Sequence, residues 1–185
     1  MLQEVVKELE GEYEETVAKF QKELAKIRTG RANVSMLDGV RVSYYGSQTP
    51  LNQLATLRVP EPRLITIQPW EKSVIGDIEK AIASSDLGLN PSNDGTLIRV
   101  PIPALTGERR EALVKQARRL GEDHKIALRN HRRDANDMVK QLEKDSEITE
   151  DEMHRGFDEI NSITEKYTTK IDTLLERKEE EIREV

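Results

Sequence analysis

The sequence predicts an α+β fold in which a long antiparallel three-helix bundle carries a small α+β domain inserted after its first helix. Three observations lead to this prediction. Apolar residues recur every three or four positions in three segments, at residues 2–28, 113–142 and 153–182. Between the first two segments, residues 31–104 change to short alternating runs separated by proline and glycine. A helix with one apolar stripe is not stable alone, so the three helices should enclose one core.

The composition agrees with long solvated helices. Charged residues make up 35% of the 185-residue chain and aromatic residues only 4%, which favours extended helices over a thick globule. The absence of cysteine excludes disulfides and thiolate metal sites. Because no segment resembles a signal peptide or a membrane span, we expect a soluble cytoplasmic protein.

The first helix is predicted over residues 2–28, with Gly30 as its stop signal. Its apolar positions follow an almost regular heptad pattern. They are Leu2, Val6, Leu9, Tyr13, Val17, Phe20, Leu24 and Ile27.

The insert is predicted over residues 31–104, so that residues 1–30 and 105–185 form the bundle. Strands are expected at 40–44, 57–59, 64–67 and 97–100, and a short helix at 73–83 with Ser73 as its cap. Residues 90–95 form a turn cluster. Pro101 and Pro103 exclude helix and favour an extended link back to the bundle. Trp70 is expected in the core of the insert or at its edge.

The second long helix is predicted from Gly107, capped by Thr106, to about Lys144, a length of nearly 60 Å at ~1.5 Å per residue. Gly121 in its interior permits a bend or a close approach.

A capping box of Thr149 and Glu152 begins the last helix, which must run antiparallel after such a short loop. The second helix's apolar stripe is Leu113, Ala117, Leu120, Ala127, Leu128, Ala135, Met138 and Leu142, with His124 and His131 on the same face. The last helix presents Met153, Phe157, Ile160, Tyr167, Ile171, Leu174 and Ile182.

A basic stripe lies on the second long helix, about 110–120° from the apolar one at ~100° per residue. Residues 106–145 contain 11 basic and 8 acidic side chains, whereas residues 146–185 contain 6 and 13. An ordinary solvated face is the alternative interpretation. Arginine is abundant, however, and suits phosphates, and Asp134 and Asp137 lie off the stripe, which predicts that it is not self-neutralised. We define the basic stripe as Arg118, Lys125, Arg129, Arg132 and Asn136, with Arg133 beside it.

A second basic cluster flanks the insert, with Lys26, Arg28 and Arg31 before it and Arg109 and Arg110 after it. The helix dipole favours cations at the end of the first helix but disfavours them in the first turn of the second. Together with the basic stripe, this cluster favours RNA phosphate as the ligand.

No catalytic or metal-binding pattern accompanies these cations. The two histidines on the apolar stripe are interpreted as satisfied residues at the edge of the core, and no His, Asp or Glu group has the spacing of a zinc site. Neither a phosphate-binding glycine loop nor a nucleophile elbow is present. We therefore expect neither an enzyme nor a metal or cofactor. A helical scaffold or adaptor that binds proteins through its charged faces is the alternative function.

Several motifs along the whole chain resemble the bacterial ribosome recycling factor family. They are Lys26-Ile27-Arg28-Thr29-Gly30-Arg31-Ala32, Leu37-Asp38-Gly39, Tyr44-Tyr45-Gly46, Thr49-Pro50-Leu51, Asp86-Leu87-Gly88-Leu89-Asn90-Pro91, Arg99-Val100-Pro101, Leu105-Thr106, Glu108-Arg109-Arg110, Arg129-Asn130 and Arg132-Arg133-Asp134. The resemblance implies a three-helix bundle with a β/α/β domain, set as an L of roughly tRNA size.

The resemblance also implies a function. Such a factor binds the post-termination ribosome and, with elongation factor G and its GTP hydrolysis, splits it into subunits so that mRNA and tRNA leave. GTP is then hydrolysed by the partner and not by this chain. We expect a monomer, with neither DNA nor membrane as a partner. The residues implied to contact the rRNA of the large subunit are Arg28, Arg31, Arg110, Arg129, Arg132 and Arg133.

A hinge between bundle and insert is the last implication of the resemblance. It would comprise the linker near Gly30 and Arg31 and the linker at Pro103, Ala104 and Leu105.

Overall fold

The computed structural model describes residues 1–184, which form two compact units; Val185 lies outside the described residues. Residues 1–28 and 107–184 form the first unit, and residues 29–106 form the second. The helices of the described chain are α1 (Leu2–Ala25), α2 (Ile75–Ala83), α3 (Gly107–Lys144) and α4 (Glu150–Arg183). The strands are β1 (Arg41–Tyr44), β2 (Ser47–Pro50), β3 (Ala55–Glu61), β4 (Leu64–Pro69), β5 (Ser92–Asn93) and β6 (Ile98–Pro101).

The first unit is the predicted bundle, in which α1, α3 and α4 each pack on the other two. Ion pairs of α3 with α4 and with α1 show that α3 runs antiparallel to both helices. The buried side chains of the bundle recur at heptad spacing. They are Val6, Leu9, Tyr13, Thr16, Phe20 and Leu24 on α1, Leu113, Val114, Ala117, His124, Leu128, Ala135 and Val139 on α3, and Ile160, Thr164, Tyr167, Ile171 and Ile182 on α4.

The buried seam of α3 differs from the predicted apolar stripe most clearly at two places. Met138 is 49% exposed, and Val139 beside it is fully buried. At the second place, Gly121 is buried instead of the predicted Leu120. A Cβ at Gly121 would lie 3.2 Å from Leu175 Cδ2 on α4. The glycine therefore permits a close approach of α3 to α4, and Leu120 lies half-buried at the flank of the seam.

A polar contact connects the three helices in the middle of the core. The buried Tyr13 hydroxyl on α1 lies 2.7 Å from Thr164 Oγ1 on α4 and 3.3 Å from the Leu128 carbonyl oxygen on α3. Thr164 in turn donates to the carbonyl of Ile160. Burial raises the pKa of Tyr13, which keeps its proton for these contacts. Because all the partners are satisfied, this contact favours one register of the helices over others.

The start of α4 follows its predicted signal, whereas the end of α1 does not. Thr149 and Glu152 form the capping box of α4, with the Glu152 N–H donating to Thr149 Oγ1 at 3.2 Å and the Thr149 N–H donating to Glu152 Oε2 at 2.8 Å. α1 ends at Ala25, three residues earlier than predicted, although Ile27 is still buried.

The second unit contains a two-stranded hairpin, β1–β2, and a four-stranded antiparallel sheet in the order β3-β4-β6-β5. Alternate residues of β4 and β6 are buried, among them Ile65, Ile67, Ile98 and Val100, and α2 contributes Ile78 and Ile82 to the same core. Every predicted strand is present. The short strands β2 and β5 are additional, and β5 lies inside the predicted turn cluster at residues 90–95.

In the predicted insert, the cap of the helix is wrong, and one of the two positions expected for Trp70 is excluded. Ser73 does not cap α2, because it lies inside a 3₁₀ turn, Lys72–Val74, that precedes the helix. Trp70 is not a core residue, since it is 66% exposed. Its indole N–H donates to Thr56 Oγ1 on β3 at 3.0 Å, so the side chain lies at the surface of the sheet.

Candidate nucleic-acid interface

Three cations of the basic stripe have acidic partners in the structure. Arg118 makes a bidentate contact with Glu179 on α4, in which Nε donates to Oε1 at 2.7 Å and Nη2 donates to Oε2 at 2.9 Å. Lys125 pairs with Asp172, also on α4. Arg129 Nη1 lies 3.1 Å from Glu122 Oε1 on the same helix. The prediction that the stripe is not self-neutralised is therefore wrong for these residues, because it considers only Asp134 and Asp137 and neither Glu122 nor the acids of α4.

The pairs of Arg118 and Arg129 differ in how tightly they are held. Glu179 is only 14% exposed, and the hydrogen bonds from Arg118 lower the pKa of its carboxyl. The Arg118–Glu179 pair consequently joins α3 to α4. In contrast, Arg129 and Glu122 are 55% and 53% exposed, and such a surface pair contributes only ~0–1 kcal/mol. Arg129 can exchange its carboxylate for an external anion at little cost.

Arg132 and Arg133 are the arginines of this group least engaged by carboxylates. None of the described carboxylates lies within 4.0 Å of Arg132, which is half-buried. Burial raises the pKa of Tyr13, and the charge of Arg132 lowers it by a smaller amount. Arg133 is well exposed, and its Nε lies 3.8 Å from Asp134. Residues 129, 132 and 133 are spaced by three and four positions and so share one side of α3. Asn136, the last residue of the stripe, is half-buried, with its Oδ1 inside the protein.

The second basic cluster is divided between the two units. Arg28 follows α1 and is exposed, and Arg110 lies near the start of α3. Since α1 and α3 are antiparallel, these two residues lie at the same end of the bundle. Arg110 is half-buried, and its Nε has no hydrogen-bond partner among the described residues. Arg31 belongs to the second unit, where it is exposed.

A surface groove of about 340 Å³ between α1 and α3 adds one cation that the sequence analysis did not single out. Arg119 lines this groove together with Lys26, and the acids Glu23 and Asp123 lie on the same walls. The proximity of Arg119 to Lys26 follows from the antiparallel register of α1 and α3. Only that register, which the sequence does not show, could have indicated that Arg119 lies near Lys26.

The two histidines of the apolar stripe lie at the core, His124 buried within it and His131 half-buried at its edge. His124 is buried, with Nδ1 2.9 Å from the Leu120 carbonyl oxygen, and its ring lies against Phe20. His131 Nδ1 lies 3.0 Å from Glu12 on α1. Within residues 1–184, no group of three or more His, Cys, Asp or Glu side chains is placed to hold a metal ion. None of the described helices combines the length and apolar character needed to cross a membrane.

The two linkers of the second unit are anchored to one turn. The Ala32 N–H donates to the Pro62 carbonyl at 2.7 Å, and the Ile102 N–H donates to the neighbouring Arg63 carbonyl at 2.8 Å. Beyond these anchors, Gly30 adopts a φ of +76°, and a Cβ on it would lie 2.9 Å from Leu105 Cγ. The linkers thus touch each other through a position that favours glycine.

The fold and its surface define a helical-bundle protein with an inserted α+β unit and a set of exposed arginines on its longest helix. Comparison with known proteins identifies the family. A family model described as "Ribosome recycling factor" matches residues 20–182. The chain belongs to the ribosome recycling factor family, as its motifs indicated.

Curated relatives match over almost the whole length of the chain. The ribosome-recycling factor of Natranaerobius thermophilus is 55% identical over 178 residues, with 96% of this chain and 97% of the relative covered. Those of Clostridioides difficile and Bacillus subtilis are 52% identical over 182 residues and 51% identical over 185 residues. These two matches cover 98% and 100% of both chains.

Solved structures confirm the fold class. A solution structure of the ribosome recycling factor is 40% identical, with a TM-score of 0.70, and the match covers 100% of this chain and 98% of that one. A second structure is 43% identical, with a TM-score of 0.61 and 98% of both chains covered. Its description names models for the T. thermophilus ribosome recycling factor and the E. coli elongation factor G bound to the E. coli post-termination complex.

Proposed function

We propose that this chain binds the post-termination ribosome and, with elongation factor G and GTP, splits it into subunits, releasing mRNA and tRNA. The observation that carries the proposal is the match to ribosome-recycling factors over 96–100% of the chain. We further propose that the chain itself catalyses no reaction and needs no cofactor, and that elongation factor G hydrolyses the GTP. The proposed site of action is the cytoplasm.

The proposed ribosomal contact is between exposed or half-buried arginines and the rRNA backbone of the large subunit. Arg129 and Arg133 support it, because their acidic contacts are exposed and weak enough to be replaced by phosphates. Arg132 supports it because no described carboxylate occupies its guanidinium. At the end of the bundle, Arg28 and Arg110 would add further phosphate contacts, and Arg31 would add one from the second unit. Neutralising phosphates releases counterions, so binding should weaken steeply with salt.

The two linkers are proposed to act as a hinge during subunit splitting. Their backbone anchors on Pro62 and Arg63 leave Gly30 and Arg31 on one side, and Pro103, Ala104 and Leu105 on the other, as the segments that can change conformation. Two connections restrict the movement more than a single connection would, and proline stiffens one of them.

Two measurements test the proposed function. Splitting of post-termination ribosomes, followed by light scattering, should require this chain, elongation factor G and GTP together. Co-sedimentation with large subunits should be lost at high salt, and Arg132→Ala should weaken it by ~1–3 kcal/mol and reduce the salt slope by about 1. Arg177→Ala on the acidic helix α4 is the matched control and should bind normally. Normal binding by Arg132→Ala at matched salt would refute the proposed role of this arginine, and absence of splitting would refute the function.

A further inference from the structure

At the tip of the β1–β2 hairpin, two tyrosines donate hydrogen bonds to the same carboxylate. The Tyr44 hydroxyl donates to Glu71 Oε2 at 2.9 Å, and the Tyr45 hydroxyl donates to Glu71 Oε1 at 3.1 Å. The two rings meet edge to face, with their centroids 4.6 Å apart. Tyr45 is nonetheless 80% exposed. We name Tyr44, Tyr45 and Glu71 the tyrosine cluster.

The backbone of the hairpin places Tyr45 in an unfavourable conformation. Tyr45 has a φ of 47° and Gly46 a φ of 82°, and a type I′ turn requires positive φ at both of these positions. Asparagine is the residue that ordinarily occupies the first position, whereas a bulky side chain is rare there. Hairpin stability alone therefore does not account for a tyrosine at a strained position with its ring in water.

The charge of the tyrosine cluster favours a positively charged ligand. Hydrogen bonds from both hydroxyls lower the pKa of Glu71, so the carboxylate carries its charge at neutral pH. The same contacts raise the pKa of both tyrosines, which stay protonated. Tyr44 is packed against the core of its unit, but the electron-rich ring of Tyr45 is exposed beside the carboxylate, and this pair attracts a cation and repels a phosphate.

We propose that the tyrosine cluster docks an arginine side chain from a basic segment of a partner protein. A planar guanidinium stacks on an aromatic face and donates to a neighbouring carboxylate, and it does both better than an ammonium group. Nucleic acid is disfavoured because its phosphates would meet Glu71. The proposal does not depend on the rRNA contacts of α3, which belongs to the other unit.

The test is an NMR titration of the full chain, observed through its tyrosine rings. The chain has four tyrosines, and Tyr13 and Tyr167 are buried, so an external ligand should shift only the rings of Tyr44 and Tyr45. An eight-residue arginine peptide is expected to shift these two rings, whereas an eight-residue lysine peptide should bind more weakly and an eight-nucleotide uridine RNA should not shift them. Glu71→Gln should weaken binding of the arginine peptide by up to about fivefold, the upper limit for one exposed ion pair.

Two further variants make the result decisive. Glu61→Gln removes an exposed carboxylate from β3 of the same unit and should leave the affinity unchanged, which separates local binding from general attraction to an acidic protein. Tyr45→Asn suits the turn and removes the ring, so it should retain the hairpin and lose the binding. The proposal is overturned if the RNA shifts the rings as strongly as the peptide does. It is also overturned if the arginine peptide causes no shift, or if Glu61→Gln and Glu71→Gln weaken binding equally.

Discussion

Replacing Glu122 by glutamine should tighten binding of this protein to the large ribosomal subunit. In the structure, Glu122 Oε1 lies 3.1 Å from Arg129 Nη1, and a phosphate that binds Arg129 must displace this carboxylate. Both side chains are more than half exposed, so the pair contributes ~0–1 kcal/mol. Removing the competitor should therefore lower the Kd by up to about fivefold, since ~1.4 kcal/mol corresponds to tenfold.

The assay is co-sedimentation with purified large subunits at two salt concentrations, and the gain should shrink at the higher one. A double-mutant cycle assigns the effect, because Arg129→Ala should abolish the gain from Glu122→Gln. Glu111→Gln, an exposed carboxylate near the start of the same helix, controls for the general loss of negative charge. The reasoning is refuted if Glu122→Gln has no effect, if its gain equals that of Glu111→Gln, or if the gain survives in the Arg129→Ala background.

The remaining predictions concern the core, an ion pair and a linker. Tyr13→Phe should reduce the free energy of unfolding by ~1–2 kcal/mol, measured by urea denaturation, because it removes a buried hydroxyl from Thr164 and a backbone carbonyl. Glu179→Gln should destabilise the protein at pH 7. Since the folded pKa of Glu179 is lowered, the difference from wild type should shrink as the pH falls below the ordinary value of 4.5 and disappear below the lowered folded pKa, and a constant difference would contradict the reasoning. Gly30→Ala should preserve ribosome binding and slow subunit splitting, because its Cβ meets Leu105 and its φ is positive; normal splitting by the folded variant would argue against the hinge.

Much of the fold was predictable because its signals are local. Heptad spacing indicated all three long helices, and Thr149 with Glu152 indicated the start of α4. The predictions failed where two neighbouring positions compete for the core, as with Met138 and Val139. Both residues are hydrophobic, so hydrophobicity does not indicate which of them is buried. Val139 is buried because of the register in which α3 packs against α1 and α4. Gly121 was difficult for the opposite reason, since its burial reflects the approach of Leu175 rather than any property of its own side chain.

The candidate site was predictable in its arginines but not in their partners. The spacing of residues 129, 132 and 133 places them on one side of α3 whatever surrounds that helix. In contrast, Glu179 is 61 positions from Arg118, and Glu71 is 26 positions from Tyr45. No periodicity within one helix or strand connects such residues.

The sequence by itself determined the helices, the insert between them and the family, because local periodicity and contiguous motifs are properties of the chain alone. The tertiary structure decided which cations remain available. It paired Arg118 and Lys125 with acids of α4, gave Arg129 an exposed and exchangeable partner, and left Arg132 without a carboxylate within 4.0 Å among the described residues. The physical reason is that an ion pair depends on distance in space, which is set by how the helices pack and not by how the residues follow one another.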